Sequence, residues 1–310
     1  MKPVYMINGF LESGKTSFIN FTIQQPYFQI KGLTLLILCE EGEEEYDEKI
    51  LKAAKTEVRV IEDEADFNAA NLIAIEKELN PERIIIEYNG VWNVKNMKLP
   101  FHWNVEQQIT LIDASTFPTY YSNMKSMVAE MIRKSELIIF NRCDNVMDNL
   151  GSYRRNVKAV NASADVIFEN KDGEINEIFE EDLPYDLKSD KIVLDDQSYG
   201  IWYMDVMDHI ERYSGKTIEF VAMVMKPKGF EADAFVPGRM AMTCCAEDMA
   251  FLGYVCKYAG ADKLKDRDWV KVSGKLKKEF RKDYKGEGPV IYAEKVESTQ
   301  RPANEVIGFN

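Results

Sequence analysis

The sequence predicts an α/β fold: a domain built on a mainly parallel β-sheet, followed by a smaller all-β domain. Two observations support this prediction. Over the first 170 residues, short apolar runs alternate with helical patterns, an order typical of a parallel sheet with helices on both faces. From residue 217 onward, strand patterns follow one another without long intervening helices, which indicates a small β-barrel.

The alternation defines the elements expected in the first domain. Apolar runs bounded by polar turns are typical of strands that are buried on both faces. We expect strands at residues 4–7, 33–38, 58–61, 84–86, 109–112 and 137–140, and helices at residues 16–25, 67–79 and 120–134.

A change of composition marks the end of the first domain. Residues 170–200 are acidic and contain Pro184, which is typical of a connection rather than of a sheet. We therefore expect a first domain at residues 1–185, a linker and helix at residues 186–215, and a β-rich domain at residues 216–310. Its strands are predicted at residues 217–225, 239–244, 250–258, 269–276 and 290–297, and an OB-like barrel is the expected architecture.

Composition limits the kinds of partner. The net charge is -13, with 52 acidic and 39 basic residues, which argues against nonspecific binding to nucleic acid. We find neither a signal peptide nor an apolar run of about 18 residues that would span a membrane. Five cysteines in a chain without an export signal indicate reduced thiols and a cytoplasmic location.

A phosphate-binding motif, GFLESGKT, occupies residues 9–16 between an apolar run and a helical pattern. This context favours a P-loop, so the first domain is predicted to be a P-loop NTPase. Glycines allow the backbone to curl around phosphates, and the helix N-terminus adds positive potential. Lys15 would reach the β- and γ-phosphates, and Thr16 would offer a hydroxyl to Mg²⁺. The predicted nucleotide-binding residues here are Gly9, Glu12, Ser13, Gly14, Lys15, Thr16 and Ser17.

A second motif, NRCD at residues 141–144, follows the last apolar run of the first domain. Asp144 can accept two protons from the edge of guanine, and adenine cannot make this match. Asn141 would either bind the guanine O6 or tie the loop to the P-loop. Arg142 stands where such motifs usually have lysine, and its planar guanidinium can stack on a base. The two motifs together favour GTP with Mg²⁺ as the ligands.

The motifs in their order resemble the CobW-type GTPases, relatives of the nickel-insertion GTPases of hydrogenase and urease maturation. Besides the P-loop and NRCD, the resemblance rests on CEEGEEEYD at residues 39–47, IIIEYNG at residues 84–90 and LIDASTF at residues 111–117. It covers residues 1–170 and implies a dimerising GTPase with slow intrinsic hydrolysis. It also implies that Glu40 and Glu87 lie near the Mg²⁺ ion or the attacking water. Lys15, Glu40 and Glu87 are then the candidate catalytic residues, and Thr16, Glu40 and Glu87 the candidate Mg²⁺ ligands.

Each of these acidic residues also has a structural interpretation. Glu87 could be solvated at a strand end, Glu40 could belong to a solvated acidic face, and Asp113 could cap the next helix. Two departures from the family pattern matter. The metal motif CxCC is replaced by EDEAD at residues 62–66, and Glu12 stands where the family has glycine. We expect the Glu12 side chain to face solvent or a partner subunit, away from the phosphates.

The second domain carries RMAMTCCAED at residues 239–248. This string resembles an uncharacterised bacterial domain with an RxxxxCCxxD motif, often paired with permease-like membrane proteins. Cys244, Cys245 and Cys256 could bind Zn²⁺ or another transition metal together with a nearby acid, or could simply pack a β core. Arg239 could lower a thiol pKa or bind an anion, or could be a surface charge.

These observations lead to two main functional hypotheses. The first is a GTP-hydrolysing metallochaperone or metal-centre maturation factor, which transfers metal to a client metalloprotein. The alternative is a regulatory GTP-binding switch whose β-rich domain binds a protein partner, for example a permease-like membrane protein, without carrying metal. A homodimer is compatible with both hypotheses. An ATP-using, kinase-like protein is a third hypothesis, which the NRCD motif disfavours.

Overall fold

The computed structural model describes residues 1–40, 42–175, 183–243 and 248–309. Contacts between its elements divide the chain into two units. The first unit contains Met1–Leu150 and Val160–Phe179, and the second contains Gly151–Ala159 and Glu180–Asn310. Within the described residues, no helix has the length and apolar composition needed to cross a membrane.

The first unit is built on an eight-stranded sheet in the order β3-β2-β4-β1-β5-β6-β7-β8. Strands β1 to β7 are parallel to their neighbours, and only β8 runs antiparallel, as the second arm of a hairpin with β7. The strands are β1 (Lys2–Asn8), β2 (Thr34–Leu38), β3 (Thr56–Val60), β4 (Arg83–Glu87), β5 (Trp103–Asp113), β6 (Leu137–Asn141), β7 (Asp165–Asn170) and β8 (Gly173–Glu174). The parallel sheet predicted from the apolar runs is confirmed.

Helices connect these strands. They are α1 (Lys15–Gln24), α2 (Glu48–Ala53), α3 (Ala69–Leu79), α4 (Phe117–Asn123), α5 (Lys125–Ile132) and α6 (Leu150–Val160). The single helix expected at residues 120–134 is wrong, because Met124 leaves the helical conformation with φ −130° and ψ 36° and separates α4 from α5. No glycine or proline marks this break in the sequence.

Two apolar cores lie on the two faces of this sheet. Side chains of a strand alternate between faces, so Val4 and Met6 of β1 pack in one core and Ile7 packs in the other. The second core also contains Ile19 and Ile23 of α1. Burial of this face of α1 against the sheet fixes the start of the helix at the carboxyl end of β1, where the phosphate-binding motif lies.

The second unit is a closed barrel. Five strands form a circuit in which each pairs with the next, in the order β10-β11-β13-β15-β14 and back to β10. The pairing of β13 with β15 is parallel and the other four pairings are antiparallel. These strands are β10 (Thr217–Met225), β11 (Ala234–Met242), β13 (Val255–Lys257), β14 (Trp269–Arg281) and β15 (Gly286–Ser298). The expected OB-like all-β architecture is confirmed.

Further elements complete the second unit. They are β9 (Lys191–Val193), α7 (Ser198–His209), β12 (Met249–Gly253) and β16 (Val306–Ile307). Strand β9 extends the sheet beside β10, and Trp202 of α7 is fully buried against Phe220 and Tyr254. Residues 186–215 therefore contribute a strand and a packed helix to this unit. The strand expected at residues 250–258 is two strands, β12 and β13.

Candidate functional site

The phosphate-binding motif forms the turn between β1 and α1. Gly9 has φ 142° and Gly14 has φ 92°, which are conformations that favour glycine. A Cβ atom at Gly9 would lie 2.3 Å from the carbonyl oxygen of Leu111, and one at Gly14 would lie 2.7 Å from Nδ2 of Asn141. The turn is therefore closed around two positions that exclude any side chain.

Lys15 projects its ammonium group into this turn. The side chain is 3% exposed, and Nζ donates to the carbonyl oxygens of Gly9 and Phe10, each at 3.0 Å. Nζ also forms an ion pair of 2.8 Å with Oε2 of Glu40, whose side chain is 12% exposed. This pairing excludes the alternative that Glu40 belongs to a solvated acidic face.

Glu87 ends β4 beside the first turn of α1. It is 3% exposed, which excludes the alternative of a solvated side chain. Oε1 accepts from Oγ1 of Thr16 at 3.0 Å, and Oε2 accepts a short hydrogen bond from the hydroxyl of Tyr46. Burial raises the pKa of Glu87, while the hydrogen bonds from Tyr46 and Thr16 and the charge of Lys15 oppose the rise.

An acidic segment, comprising residue 40 and residues 42–46, follows β2 and contacts the phosphate-binding loop. Oε1 of Glu12 accepts from the backbone N–H of Glu43 at 2.9 Å, and the hydroxyl of Ser17 donates to Glu44. Glu12 has φ 60°, which is a left-handed conformation and explains why glycine suits this position. Glu12 is exposed, as expected for a side chain that faces solvent, and its carboxylate also bonds to the acidic segment of its own chain.

These residues line a cleft of about 320 Å³. The cleft is bounded by Leu11, Glu12, Gly14, Lys15, Thr16, Glu40, Gly42, Glu44, Glu87 and Arg142. Hydroxyl and carboxylate oxygens are the ligands that Mg²⁺ prefers, and Thr16 and Glu87 bring one of each together. Unpaired N–H groups at a helix start favour phosphate, and α1 starts here. The residues present therefore fit a nucleotide phosphate chain with Mg²⁺.

The predicted base-recognition loop lies beside the P-loop. Nδ2 of Asn141 donates to the carbonyl oxygen of Ser13 at 2.7 Å, so Asn141 ties the two loops together. Among the residues that the structure describes, neither its buried Oδ1 nor the buried Oγ of Ser13 has a hydrogen-bond partner. Asp144 is exposed, and the backbone N–H of Lys171 is 3.5 Å from its Oδ1. The carboxylate that is predicted to recognise guanine is therefore accessible to a ligand.

Arg142 bonds to the phosphate-binding loop and to the end of β5, although its side chain is 52% exposed. It has φ 55°, and Nη1 donates to the carbonyl oxygen of Glu12 at 2.8 Å and to the carboxylate of Asp113. Asp113 also accepts from the N–H of Ser115 at 2.9 Å, so it caps the turn before α4. Burial acts to raise the pKa of Asp113, but the hydrogen bonds from Ser115 and Arg142 outweigh burial and lower this pKa.

In the second unit, Arg239 on β11 is not a surface charge. It is 1% exposed, forms an ion pair of 2.7 Å with Asp196, and donates to the carbonyl oxygen of Asn304. Its guanidinium lies 5.4 Å from the ring centroid of Trp269. These contacts give Arg239 a structural role in joining β11 to two loops.

The proposed cysteine site is divided between described and undescribed residues. Cys244 and Cys245 lie outside the described residues, so a transition-metal site there stays a prediction. Cys256 is fully buried in the barrel core, and burial raises its pKa to about 12, which disfavours the thiolate that binds a metal. Across the described ranges, no group of three or more His, Cys, Asp or Glu side chains is arranged to hold a metal ion.

Sequence reasoning missed two contributors to the site. Tyr46 lies within the CEEGEEEYD motif, which predicts no role for it, and no motif predicts the pairing of Asp113 with Arg142. The one signal for Tyr46 is a large aromatic residue within an otherwise acidic run. The Asp113–Arg142 pair joins residues that lie 29 positions apart, and no local pattern reports such a contact.

Comparisons with known proteins agree with this geometry. Residues 3–168 match the family described as CobW/HypB/UreG, nucleotide-binding domain, and residues 170–307 match the DUF1980 C-terminal domain. No curated protein matches the chain.

Several solved structures resemble the chain at low identity. HypB, a hydrogenase maturation factor from Archaeoglobus fulgidus, is 17% identical with a TM-score of 0.41, over 56% of this chain and 84% of that one. The Zn(II)-bound YjiA GTPase from E. coli is 17% identical with a TM-score of 0.41, over 56% and 59%. HypB from Helicobacter pylori in complex with nickel is 16% identical with a TM-score of 0.33, over 54% and 79%.

Because these TM-scores lie below 0.5, the family assignment rests on the sequence match. That match covers more than half of the chain and includes the P-loop, the strand that ends at Glu87 and the NRCD loop. It confirms the resemblance drawn from the motifs. The chain belongs to the CobW/HypB/UreG family.

Proposed function

We propose that this chain binds GTP together with Mg²⁺ and hydrolyses the GTP slowly. We further propose that this hydrolysis drives a step in the maturation of a metal centre. The observation that supports the nucleotide step best is the convergence of Lys15, Thr16 and Glu87 at the carboxyl end of the sheet. Residues 72 positions apart in sequence, Lys15 and Glu87, line the same cleft. This arrangement places a buried cation, a hydroxyl and a carboxylate around one cleft.

The chain's own groups account for the chemistry of hydrolysis. Phosphoryl transfer needs positioning and charge stabilisation rather than covalent catalysis. Lys15 would exchange its bond with Glu40 for phosphate oxygens, and the freed carboxylate of Glu40 would orient the attacking water. Magnesium, when held by Thr16 and Glu87, would neutralise charge on the β- and γ-phosphates.

Guanine selectivity is proposed for Asp144, supported by its exposed carboxylate. In Asp144→Asn, one acceptor becomes a donor, so guanine loses one of its two hydrogen bonds while xanthine, with a carbonyl in place of the amine, gains one. We expect GTP affinity to fall about 10- to 100-fold, the scale of one hydrogen bond to a charged group, and affinity for xanthosine triphosphate to rise. Titration with fluorescent nucleotides tests this. Equal affinity of the unaltered chain for ATP and GTP would instead support the kinase-like hypothesis.

A role in metal delivery is proposed through the second unit. The test measures GTP turnover by the full chain with a panel of divalent ions, Zn²⁺, Co²⁺ and Ni²⁺, in parallel with direct metal binding. We expect one of these ions to bind and to stimulate turnover, and the Cys244→Ser/Cys245→Ser variant to lose both effects. Equally weak metal binding by both proteins would remove the metallochaperone role.

The alternative is a regulatory GTP-binding switch that carries no metal. It is favoured by the EDEAD sequence at residues 62–66, where the family has cysteines, and by the inaccessible, protonated thiol of Cys256. A switch would bind a protein partner differently with GTP and with GDP. In that case, metal ions would leave turnover unchanged, whereas the GTP form would co-purify with a partner that the GDP form releases.

A further inference from the structure

We propose that Tyr46 is a positioning residue that fixes the carboxylate of Glu87 for a small octahedral cation, and thereby favours Mg²⁺ over Ca²⁺. The inference rests on the proposed function, since it concerns the ion that accompanies the nucleotide. Tyr46 lies in the acidic segment, and its hydroxyl donates to Oε2 of Glu87. No motif of the sequence assigned it a role.

The two oxygens of Glu87 have different partners. Oε1 accepts from Thr16 at 3.0 Å, and Oε2 accepts from Tyr46. Thr16 is the P-loop residue whose hydroxyl meets the cation, so Oε1 is the oxygen on the cation side. Oε2 is engaged by the phenol. The carboxylate can therefore offer one oxygen to an ion without breaking the bond to Tyr46.

Single-oxygen binding discriminates between ions. Mg²⁺ demands near-octahedral geometry with ligands at about 2.0–2.1 Å, whereas Ca²⁺ accepts about six to eight oxygens and often takes both oxygens of a carboxylate. A Glu87 whose second oxygen is occupied suits the smaller ion. Outer hydrogen bonds of this kind orient a metal ligand and raise affinity.

Tyr46 is itself held in place from both sides. Its ring packs against the apolar core that contains Ile7 and Ile19, and the next residue, Asp47, caps α2 by accepting from the N–H of Lys49 at 2.7 Å. Between these two anchors, the hydroxyl of Tyr46 donates to Oε2 of Glu87. The contact thus links the acidic segment to the end of β4.

The test compares the full chain with its Tyr46→Phe variant. A fluorescent GTP analogue is bound, and the half-saturating concentrations of Mg²⁺ and Ca²⁺ are measured, as is nucleotide affinity in EDTA. We expect Tyr46→Phe to raise the Mg²⁺ requirement about 10-fold, the lower end for an outer-shell change. The Ca²⁺ requirement should change much less, and affinity in EDTA should not change. Tyr5→Phe is the matched control, because Tyr5 packs against the same core but lies on Phe28.

The proposal would be overturned if the Mg²⁺ requirement of Tyr46→Phe lay within about twofold of that of the unaltered chain. A difference of that size is expected even between residues that do not interact. Equal losses for Mg²⁺ and Ca²⁺ would also overturn it, because they would indicate a general loosening. Glu87→Gln provides a second check, since adding Tyr46→Phe to it should have no further effect on either ion; a further loss would show that Tyr46 does not act through Glu87. If the unaltered chain shows no Mg²⁺-dependent nucleotide binding, the proposed function fails and this inference with it.

Discussion

Buried charged side chains have different surroundings in the two units. In the first unit, Lys15 and Glu87 are each 3% exposed, yet both line an open cleft. In the second unit, Arg239 and Asp205 are buried to a similar extent but are bonded to partners within their own unit. A buried charge that faces a cleft is a candidate for function, whereas one that is bonded within its own unit is a candidate for a structural role, because removing its partner leaves an uncompensated buried charge. Among the described residues, Nε of Arg239 is buried without a hydrogen-bond partner, so the role of Arg239 rests on the bonds of its two other nitrogens.

The enclosed network around Asp205 shows the second case. Oδ1 of Asp205 accepts from Arg212 at 2.7 Å and Oδ2 accepts from the hydroxyl of Tyr213 at 2.6 Å. Tyr213 in turn is 2.7 Å from the hydroxyl of Tyr185. Both carboxylate oxygens are therefore satisfied by the chain itself. Glu87 is also satisfied on both oxygens, but burial still raises its pKa, so its charged form is held at a cost in stability.

The sharpest way to test this contrast is Lys15→Ala. A charged group that donates to phosphate is worth about 1.5–3 kcal/mol per hydrogen bond, so nucleotide affinity should fall about 100-fold, or about 2.7 kcal/mol. Fluorescent GTP binding in Mg²⁺ measures the change. Lys52→Ala is the control, because Lys52 is 79% exposed and pairs with Glu48 on the surface of α2. An unchanged affinity in Lys15→Ala would show that the cleft is not the nucleotide site.

The cleft could be located from the sequence because its signals are local. GxxxxGKT fixes a strand, a turn and a helix within a short window, and the apolar runs give the strands around it. The contacts that complete the cleft are not local. Glu12 reaches Glu43 across 31 positions, and Arg142 reaches back 130 positions to the carbonyl oxygen of Glu12. Such pairs depend on how strands are ordered in the sheet, and composition does not report that order.

The barrel shows a different limit. The strand expected at residues 269–276 continues to Arg281, because β14 and β15 pair along their whole lengths. Four of the five added residues are polar and none of the five is buried, so their strand conformation comes from cross-strand pairing rather than from burial. Arg239 was placed near the cysteines, but its partners, Asp196 and Asn304, lie 43 and 65 positions away.

Arg239→Met tests whether the enclosed charge of the second unit stabilises the fold. Methionine keeps most of the volume but leaves the carbonyl oxygen of Asn304 and the carboxylate of Asp196 without their donor. We expect a loss of about 2 kcal/mol in unfolding free energy, within the range for a charged hydrogen bond, since Asp196 is 33% exposed and water can replace part of the bond.

Urea unfolding measures this loss, and nucleotide affinity should not change. Arg301→Met is the matched control: Arg301 is 66% exposed in a surface pair with Glu305, and removing such a pair changes stability by less than about 1 kcal/mol. If both variants lost equal stability, or if Arg239→Met weakened GTP binding directly, Arg239 would not be the enclosed structural charge described here.

The smallest expected effect is a gain in stability for the Glu87→Gln variant, in contrast to the loss expected for Arg239→Met. The sign of the change distinguishes a buried charge that faces the cleft from one that is enclosed by partners. Burial raises the pKa of Glu87 above its ordinary 4.5, so the folded chain holds that proton more tightly than the unfolded chain. Stability must then fall as pH rises through this window, because the native state binds more protons. In EDTA, Glu87→Gln should remove this decline and should be the more stable protein at pH 8, by on the order of 1 kcal/mol.

Urea unfolding between pH 5 and pH 8 measures how the stability of the unaltered chain and of Glu87→Gln changes with pH. Glu106→Gln, at an exposed position on β5, is the control and should behave like the unaltered chain. With Mg²⁺ and GTP present, the order should reverse, because ligands that bind only the native state stabilise it and Glu87→Gln weakens the cation site. A Glu87→Gln variant that is less stable in EDTA at every pH would place Glu87 with Arg239 as a structural charge. A reversal with ligand would show instead that the first unit gives up stability at Glu87 in order to hold a cation and a nucleotide.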